Sequence, residues 1–114
     1  MLGDGQDLGL PNPVVMPGTA PDDPASVYVT VMGRVQGVGY RAWCAQEAER
    51  LGLFGWIRNR SDGTVEAIYH GPAKRIVEMV RLAQKGPALA EVTKMLASPC
   101  NAPDNASFQR RPTF

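Results

Sequence analysis

Two hydrophobic periods meet in residues 27–51, and a glycine-rich segment separates them. From Val27 to Val31, valines alternate with other side chains, which is the period of two that indicates a β-strand. From Tyr40 onward the period becomes helical, and the residues predicted on the buried face are Tyr40, Cys44, Ala48 and Leu51. Gly52 stands where a glycine commonly ends a helix. The folded part of the chain therefore begins with a strand, a loop at residues 33–39 and a helix.

The next part of the chain indicates a hairpin and a second helix. Residues 54–60 and 64–70 are predicted to be strands joined by Ser61-Asp62-Gly63, because an Asp-Gly pair is a strong hairpin signal. The second helix opens at Gly71-Pro72, since proline suits the first helical position, and Gly86-Pro87 ends it. Its predicted buried face comprises Ile76, Met79, Val80 and Ala83.

Two further strands are predicted after the second helix. Residues 89–97 form the fourth strand, with Val92 and Leu96 facing inward, and residues 107–113 form a short last strand. Pro112 confines this last strand to an edge of the sheet. Strand, helix, strand, strand, helix, strand is the split βαβ order of ferredoxin-like folds. The expected fold is an α+β sandwich with two helices on one face of an antiparallel sheet of four or five strands.

The length and composition predict one domain. A chain of 114 residues can bury one core of useful size. Residues 1–26 are rich in proline and glycine and show no period, so we expect a disordered leader and a domain at 27–114. No apolar run is long enough to span a bilayer, and the N-terminus lacks the features of a secretory signal. We therefore expect a cytoplasmic monomer with no membrane partner.

The charged residues are unevenly distributed along the chain. Residues 1–26 contain four aspartates and no lysine or arginine, so the remainder carries 12 positive and 7 negative side chains. Such a modestly basic domain suits a small anionic substrate. Cys44 and Cys100 show no metal-ligand spacing, so we expect two reduced thiols and no metal site.

Residues 33–41 have the composition of an anion-binding loop. Three glycines allow the backbone to turn and to direct several N–H groups toward one point. The helix that follows adds its own unpaired N–H groups and the positive end of its dipole. Arg34 and Arg41 place two cations where positive charge is otherwise mildly unfavourable, which a bound phosphate or carboxylate would explain.

Other ligands for such a loop find less support in the sequence. A nucleotide-binding P-loop requires a Lys-Ser/Thr pair, which residues 33–41 lack. Residues 37–42 match the loose Gly-x-Gly-x-x-Ala dinucleotide pattern, but the hairpin that follows and the short chain do not suit a dinucleotide fold. An RNA-recognition sheet carries an aromatic-rich third strand, whereas residues 64–70 hold a single aromatic. We therefore expect no cofactor and no nucleic-acid partner.

Three segments of the chain carry a family resemblance. They are GRVQGVGYR at 33–41, LGLFGWIRNRSDGTVE at 51–66 and GPALAEV at 86–92. Together they closely resemble the acylphosphatases, and the resemblance covers residues 27–112. It implies hydrolysis of the carboxyl–phosphate bond of small acyl phosphates, without metal or cofactor.

The resemblance also implies which residues form the site. Arg41 and the loop backbone would hold the phosphate, and Asn59 would orient the attacking water. The residues predicted to bind phosphate are Arg34, Val35, Gln36, Gly37, Val38, Gly39, Tyr40 and Arg41. Many acylphosphatases have phenylalanine where Tyr40 stands, so this chain carries one additional hydroxyl group.

The chemistry of these residue types agrees with that assignment. Arg41 offers a planar fork of donors to phosphate oxygens. Asn59 has no useful proton affinity near neutral pH, so it can orient a water but cannot act as a base. Residues 33–41 contain no acid, which restricts the site to leaving groups such as a carboxylate, whose conjugate acid has a pKa of roughly 4. Glu66 is expected to face solvent. The alternative function is a non-catalytic anion-binding or regulatory module.

Overall fold

The structure is a computed structural model that describes residues 15, 16 and 18–114. The strands are β1 Pro24–Arg34, β2 Phe54–Asn59, β3 Val65–Pro72, β4 Glu91–Pro99 and β5 Phe108–Arg110, and the helices are α1 Tyr40–Arg50 and α2 Ala73–Lys85. Within this part of the chain, no helix is long and apolar enough to cross a membrane.

The described strands form one sheet in the order β4–β1–β3–β2–β5. The first four strands pair antiparallel, which confirms the split βαβ arrangement predicted from the sequence. The predicted antiparallel sheet is confirmed as mostly antiparallel, and the one parallel pairing among the described strands joins β5 to β2. After β4 the chain turns back and crosses to the opposite edge of the sheet, where it meets β2 running in the same direction. The added strand is therefore an edge strand, as Pro112 indicated.

One face of the sheet and both helices enclose the core. The valines of β1 that the sequence placed inward are buried, together with alternate residues of β3 and Ile57 of β2. The predicted buried faces of both helices are also confirmed: the buried residues are Tyr40, Cys44, Ala48 and Leu51 for the first helix and its C-cap, and Ala73, Ile76, Met79, Val80 and Ala83 for the second. Neither of the two described helices packs on the opposite face of the sheet.

The folded part of the chain begins earlier than Val27. Residues 24–26 pair with residues 70–72 as an extension of β1, and the Asp23 carbonyl accepts a hydrogen bond of 2.8 Å from the N–H of Ala73. The predicted boundary at 26/27 therefore lies inside β1, because backbone pairing does not require the hydrophobic alternation from which the boundary was predicted. Residues 1–14 and 17 of the predicted leader lie outside the described residues.

The prediction that Leu96 faces inward is wrong, because β4 contains a bulge before this residue. Met32 lies opposite Lys94, but Gly33 lies opposite Val92, so one residue of β4 is additional at this point. The bulge reverses the alternation, so that Val92 packs on the core before it and Met95 after it, while Leu96 is 48% exposed. The backbones of β1 and β4 approach closely at Gly33, where a Cβ atom would lie 2.1 Å from the carbonyl oxygen of Glu91.

Candidate active site

The loop between β1 and α1 turns at two glycines. Gly37 and Gly39 have φ values of 74° and 79°, in the left-handed region that other residues rarely adopt. No atom would contact a Cβ at either position within 4 Å, so the requirement for glycine there is conformational. Gly33, the remaining glycine of the motif, lies in β1 opposite the bulge in β4. Two of the three glycines therefore shape the loop, and the third allows the sheet to pack.

The backbone N–H groups of this loop have few protein acceptors. The first bond of α1 runs from the N–H of Trp43 to the carbonyl of Gly39, at 3.1 Å. In the described part of the chain, the N–H groups of residues 36–42 donate no hydrogen bond to another residue. The N-cap of α1 is Gly39, which has no capping side chain, and the first turn contains no acidic residue. Several N–H donors and the positive end of a helix dipole thus converge at this point, an arrangement that favours an anion.

Two arginines flank these N–H groups. Arg34 ends β1 and is exposed, whereas Arg41 lies in the first turn of α1 and is half-buried. Neither guanidinium forms an ion pair with any residue that the structure describes. Both cations remain available to an anionic ligand, although they stand at the helix end where positive charge is unfavourable.

The other side chains of the predicted phosphate-binding segment are used by the fold. Val35 is buried and Val38 packs against the core. The Tyr40 ring is buried, and its hydroxyl donates a hydrogen bond of 2.7 Å to the carbonyl of Ala83 in α2. These three residues can contribute only their backbone N–H groups to a ligand.

Gln36 joins the loop to the β2–β3 hairpin. Its side-chain Nε2 donates to the carbonyl oxygens of Arg60 and Thr64, both at 2.8 Å. Asn59 is the last residue of β2, next to Arg60, and lies opposite Val65 of β3, which in turn lies opposite Val31 of β1. Two strand spacings separate Asn59 from Val31, a distance of about 10 Å. The loop and Asn59 therefore lie at the same end of the sheet.

The side chain of Asn59 has an unpaired acceptor. Its Oδ1 atom is buried and accepts no hydrogen bond from the described residues. An unsatisfied buried acceptor costs about 1–3 kcal/mol, so such groups usually have a partner. The backbone carbonyl of Asn59 is held separately, by the N–H of Phe114 at 3.0 Å. The strand end is thus fixed in place, and the side-chain oxygen has no hydrogen-bond donor among the described residues.

A buried carboxylate on the open face of the sheet was not foreseen. Glu66 is 3% exposed and accepts hydrogen bonds from the Tyr28 hydroxyl and from Arg58, and Arg60 lies 3.5 Å away. The prediction that Glu66 faces solvent is wrong, because these side chains cover it. The cross-strand register Thr30–Glu66–Arg58 would have revealed the pair, but it is known only once the strands are aligned.

The charges around Glu66 decide its ionisation. Burial alone would raise the pKa of the carboxyl group, but hydrogen bonds from Tyr28 and Arg58 and the nearby guanidinium groups lower the pKa by more, so it lies below its ordinary value. The Arg58 guanidinium also lies over the Trp56 ring, 4.7 Å from its centroid, and over the Phe114 ring at 4.2 Å. This cluster stiffens β2 immediately before Asn59.

The fold and the site together define a ferredoxin-like α+β domain with an amide-rich loop suited to a small oxyanion. A family model, Acylphosphatase, matches residues 27–110. An acylphosphatase of Rhodospirillum rubrum is 43% identical over 89 residues, covering 78% of this chain and 98% of the relative. Acylphosphatase 2 of Ralstonia nicotianae is 51% identical over 88 residues, covering 76% and 93%. The solved structure of an acylphosphatase from Coxiella burnetii superposes with a TM-score of 0.75 at 32% identity, covering 78% of this chain and 94% of that one.

The chain belongs to the acylphosphatase family, whose members are hydrolases that act on acid anhydrides. The family resemblance and the ferredoxin-like fold inferred from the sequence are both confirmed.

Proposed function

We propose that this protein hydrolyses small acyl phosphates to a carboxylate and inorganic phosphate by in-line attack of water. The backbone N–H groups of residues 34–40 and the guanidinium of Arg41 bind the phosphate. Asn59 Oδ1 accepts a hydrogen bond from the attacking water and so orients it toward phosphorus. The water attacks phosphorus, the bond between phosphorus and the acyl oxygen breaks, and the carboxylate leaves with the electron pair. Both protons of the water stay with the inorganic phosphate that is released.

The observation that carries this proposal is the unpaired Oδ1 atom of Asn59 at the sheet end where the loop N–H groups are free. An acceptor without a protein partner can hold a water at a fixed position when a water enters the space beside it. The N–H groups and Arg41 supply positive charge to the equatorial oxygens, where phosphoryl transfer requires it. The water acceptor and the phosphate donors belong to different elements, so each can be altered separately.

The chemistry of the loop limits the substrate class. Residues 33–41 hold no side chain able to protonate a leaving group. A carboxylate leaves without protonation because its conjugate acid has a pKa of roughly 4, whereas an alkoxide does not. Acyl phosphates are therefore favoured over phosphate monoesters of sugars or of serine.

The test is the steady-state hydrolysis of benzoyl phosphate by wild type, Asn59→Ala and Arg41→Gln, with inorganic phosphate as a competitive inhibitor. Asn59→Ala should lower kcat by about 10²–10³-fold with little change in phosphate affinity, because the water is oriented only for the chemical step. Arg41→Gln should lower kcat and also weaken phosphate inhibition, since its charge acts on bound phosphate and on the transition state.

Asn105 provides a matched control. It too has a buried Oδ1 atom without a partner in the described residues, but its Nδ2 donates to the carbonyls of Gly55 and Ser107, at the opposite end of β2. Asn105→Ala should keep kcat near the wild-type value even if stability falls. Wild-type turnover no faster than spontaneous hydrolysis, together with measurable phosphate binding, would instead support the non-catalytic anion-binding module.

A further inference from the structure

We propose that Gln36 is a positioning residue that sets the distance between the phosphate loop and Asn59, and that its side chain does not bind substrate. Both donor positions of its terminal amide are used, since Nε2 donates to the Arg60 and Thr64 carbonyls at 2.8 Å each. The sequence placed Gln36 among the phosphate-binding residues, but only its backbone N–H remains free for that purpose. This inference rests on the proposed function.

The two acceptors of Gln36 lie on opposite sides of the hairpin turn. The N–H of Arg60 donates to the carbonyl of Thr64 at 2.8 Å, and this bond closes the turn. Thr64 Oγ1 and the Thr64 N–H both donate to Asp62 Oδ1, at 2.6 and 2.9 Å, so the turn is ordered internally. Gln36 therefore attaches to a rigid turn rather than to a mobile one.

The position of Gln36 in the loop explains why the attachment affects the site. It lies one residue before Gly37 and five before Arg41, and Arg60 directly follows Asn59. A single side chain thus connects the element that holds phosphate to the element that holds water. In the described sheet β1 and β2 are not neighbours, and β3 lies between them.

Small displacements between reacting groups have large effects on rate, and a shift of about 1 Å can cost up to roughly 10²-fold. The proposed phosphate donors are backbone N–H groups and the Arg41 guanidinium, whereas the Gln36 side chain bonds to the hairpin carbonyls instead. Loss of the amide should therefore impair the chemical step more than binding. This separation distinguishes a positioning role from a direct contact with phosphate.

The first variant is Gln36→Met, which keeps the length of the side chain and removes both donors. We expect kcat on benzoyl phosphate to fall by about tenfold or more, while the inhibition constant of inorganic phosphate changes by less than about threefold. In the Asn59→Ala background the same substitution should cause little further loss of kcat, because no oriented water remains to be misplaced. Gln46→Met is the matched control, since Gln46 is exposed on α1 and its side chain has no hydrogen bond to a described residue.

A second variant keeps the proposal testable if Gln36→Met does not fold. Gln36→Glu preserves the shape of the side chain, but an ionised carboxylate cannot donate to the two carbonyls. A protonated carboxyl can donate to one of them. The kcat of this variant, relative to wild type at the same pH, should therefore rise as the pH falls toward 5. A ratio that does not depend on pH would contradict the donor role.

Amide hydrogen exchange tests the attachment without reference to catalysis. In Gln36→Met the N–H of Arg60 should exchange faster than in wild type, while the core amides of β1 keep their protection. Phosphate inhibition weakened as much as kcat, or losses that simply add in the double variant, would overturn the proposal. Absence of wild-type turnover would refute the proposed function, and the exchange result would still show whether Gln36 holds the hairpin.

Discussion

Replacing Tyr40 by phenylalanine would remove one hydroxyl group from the contact between α1 and α2. In wild type this hydroxyl donates to the carbonyl of Ala83 at 2.7 Å. That carbonyl lies in the last turn of α2, and the residue four positions later, Pro87, has no N–H to donate. Tyr40 therefore supplies the donor that the end of the helix lacks. The Tyr40→Phe substitution keeps the buried ring, so the fold should persist in the variant.

The magnitude follows from the burial of both groups. The Tyr40 ring is 1% exposed and packs against Gly86, where a Cβ would lie 3.2 Å from the Tyr40 Cε1 atom. The phenylalanine ring should keep this position, so no cavity forms and the unsatisfied carbonyl of Ala83 dominates. We expect the free energy of unfolding to fall by about 1.5 kcal/mol. For a domain of this size the melting temperature should then fall by roughly 6–12 °C.

Urea unfolding of wild type and Tyr40→Phe measures this loss, and an unchanged m-value would show that the unfolding transition itself is unaltered. Burial, followed by the neighbouring Cys44, raises the pKa of the Tyr40 hydroxyl far above its ordinary value, so the loss should be the same from pH 6 to pH 9. A loss below about 0.5 kcal/mol would refute the reasoning, since it would mean that the Ala83 carbonyl needs no donor from Tyr40.

Two further predictions concern ionisable side chains. Burial raises the pKa of the Cys44 thiol to about 12, so iodoacetamide should label Cys44 only when the protein is unfolded. Half-buried Cys100 should react slowly in the native protein. Peptide mass mapping measures both reactions, and rapid labelling of Cys44 in the native protein would contradict the prediction. Tyr28 and Arg58 hold the pKa of Glu66 in the native protein below its ordinary value of 4.5. The stability that the ionised carboxylate contributes is therefore complete above pH 4.5, and it is lost as the pH falls through the native pKa. The difference in unfolding free energy between wild type and Glu66→Gln should therefore shrink as the pH falls from 5 to 3, and a constant difference would show that the charge contributes nothing.

The local elements could be predicted because each depends on residues close together in the sequence. Alternation from Val27 to Val31 indicated β1, the helical period from Tyr40 indicated α1, and Asp62-Gly63 indicated the hairpin. The anion-binding character of the loop followed from its glycines and arginines in the same way. Arg41 and Asn59 were assigned from the family resemblance, and their roles stay predictions until the variants are measured.

The remaining features depend on which strands become neighbours. The parallel pairing of β5 with β2, the burial of Glu66 beneath Arg58 and the inward position of Met95 after the β4 bulge all arise from contacts between distant residues. A local hydrophobic period does not predict such contacts, because the polarity of a side chain does not show which distant residue will cover it.

The sequence by itself determined the element order and the core faces of β1 and the two helices, because hydrophobic period and glycine placement act over a few residues. The tertiary structure alone decided how the loop is joined to the hairpin beside Asn59. Gln36 looks like one more residue of a phosphate-binding motif, and only the folded chain brings its amide to the carbonyls of Arg60 and Thr64, 24 and 28 residues away. The physical reason is that a hydrogen bond requires both partners within about 3 Å, a distance that sequence separation does not specify.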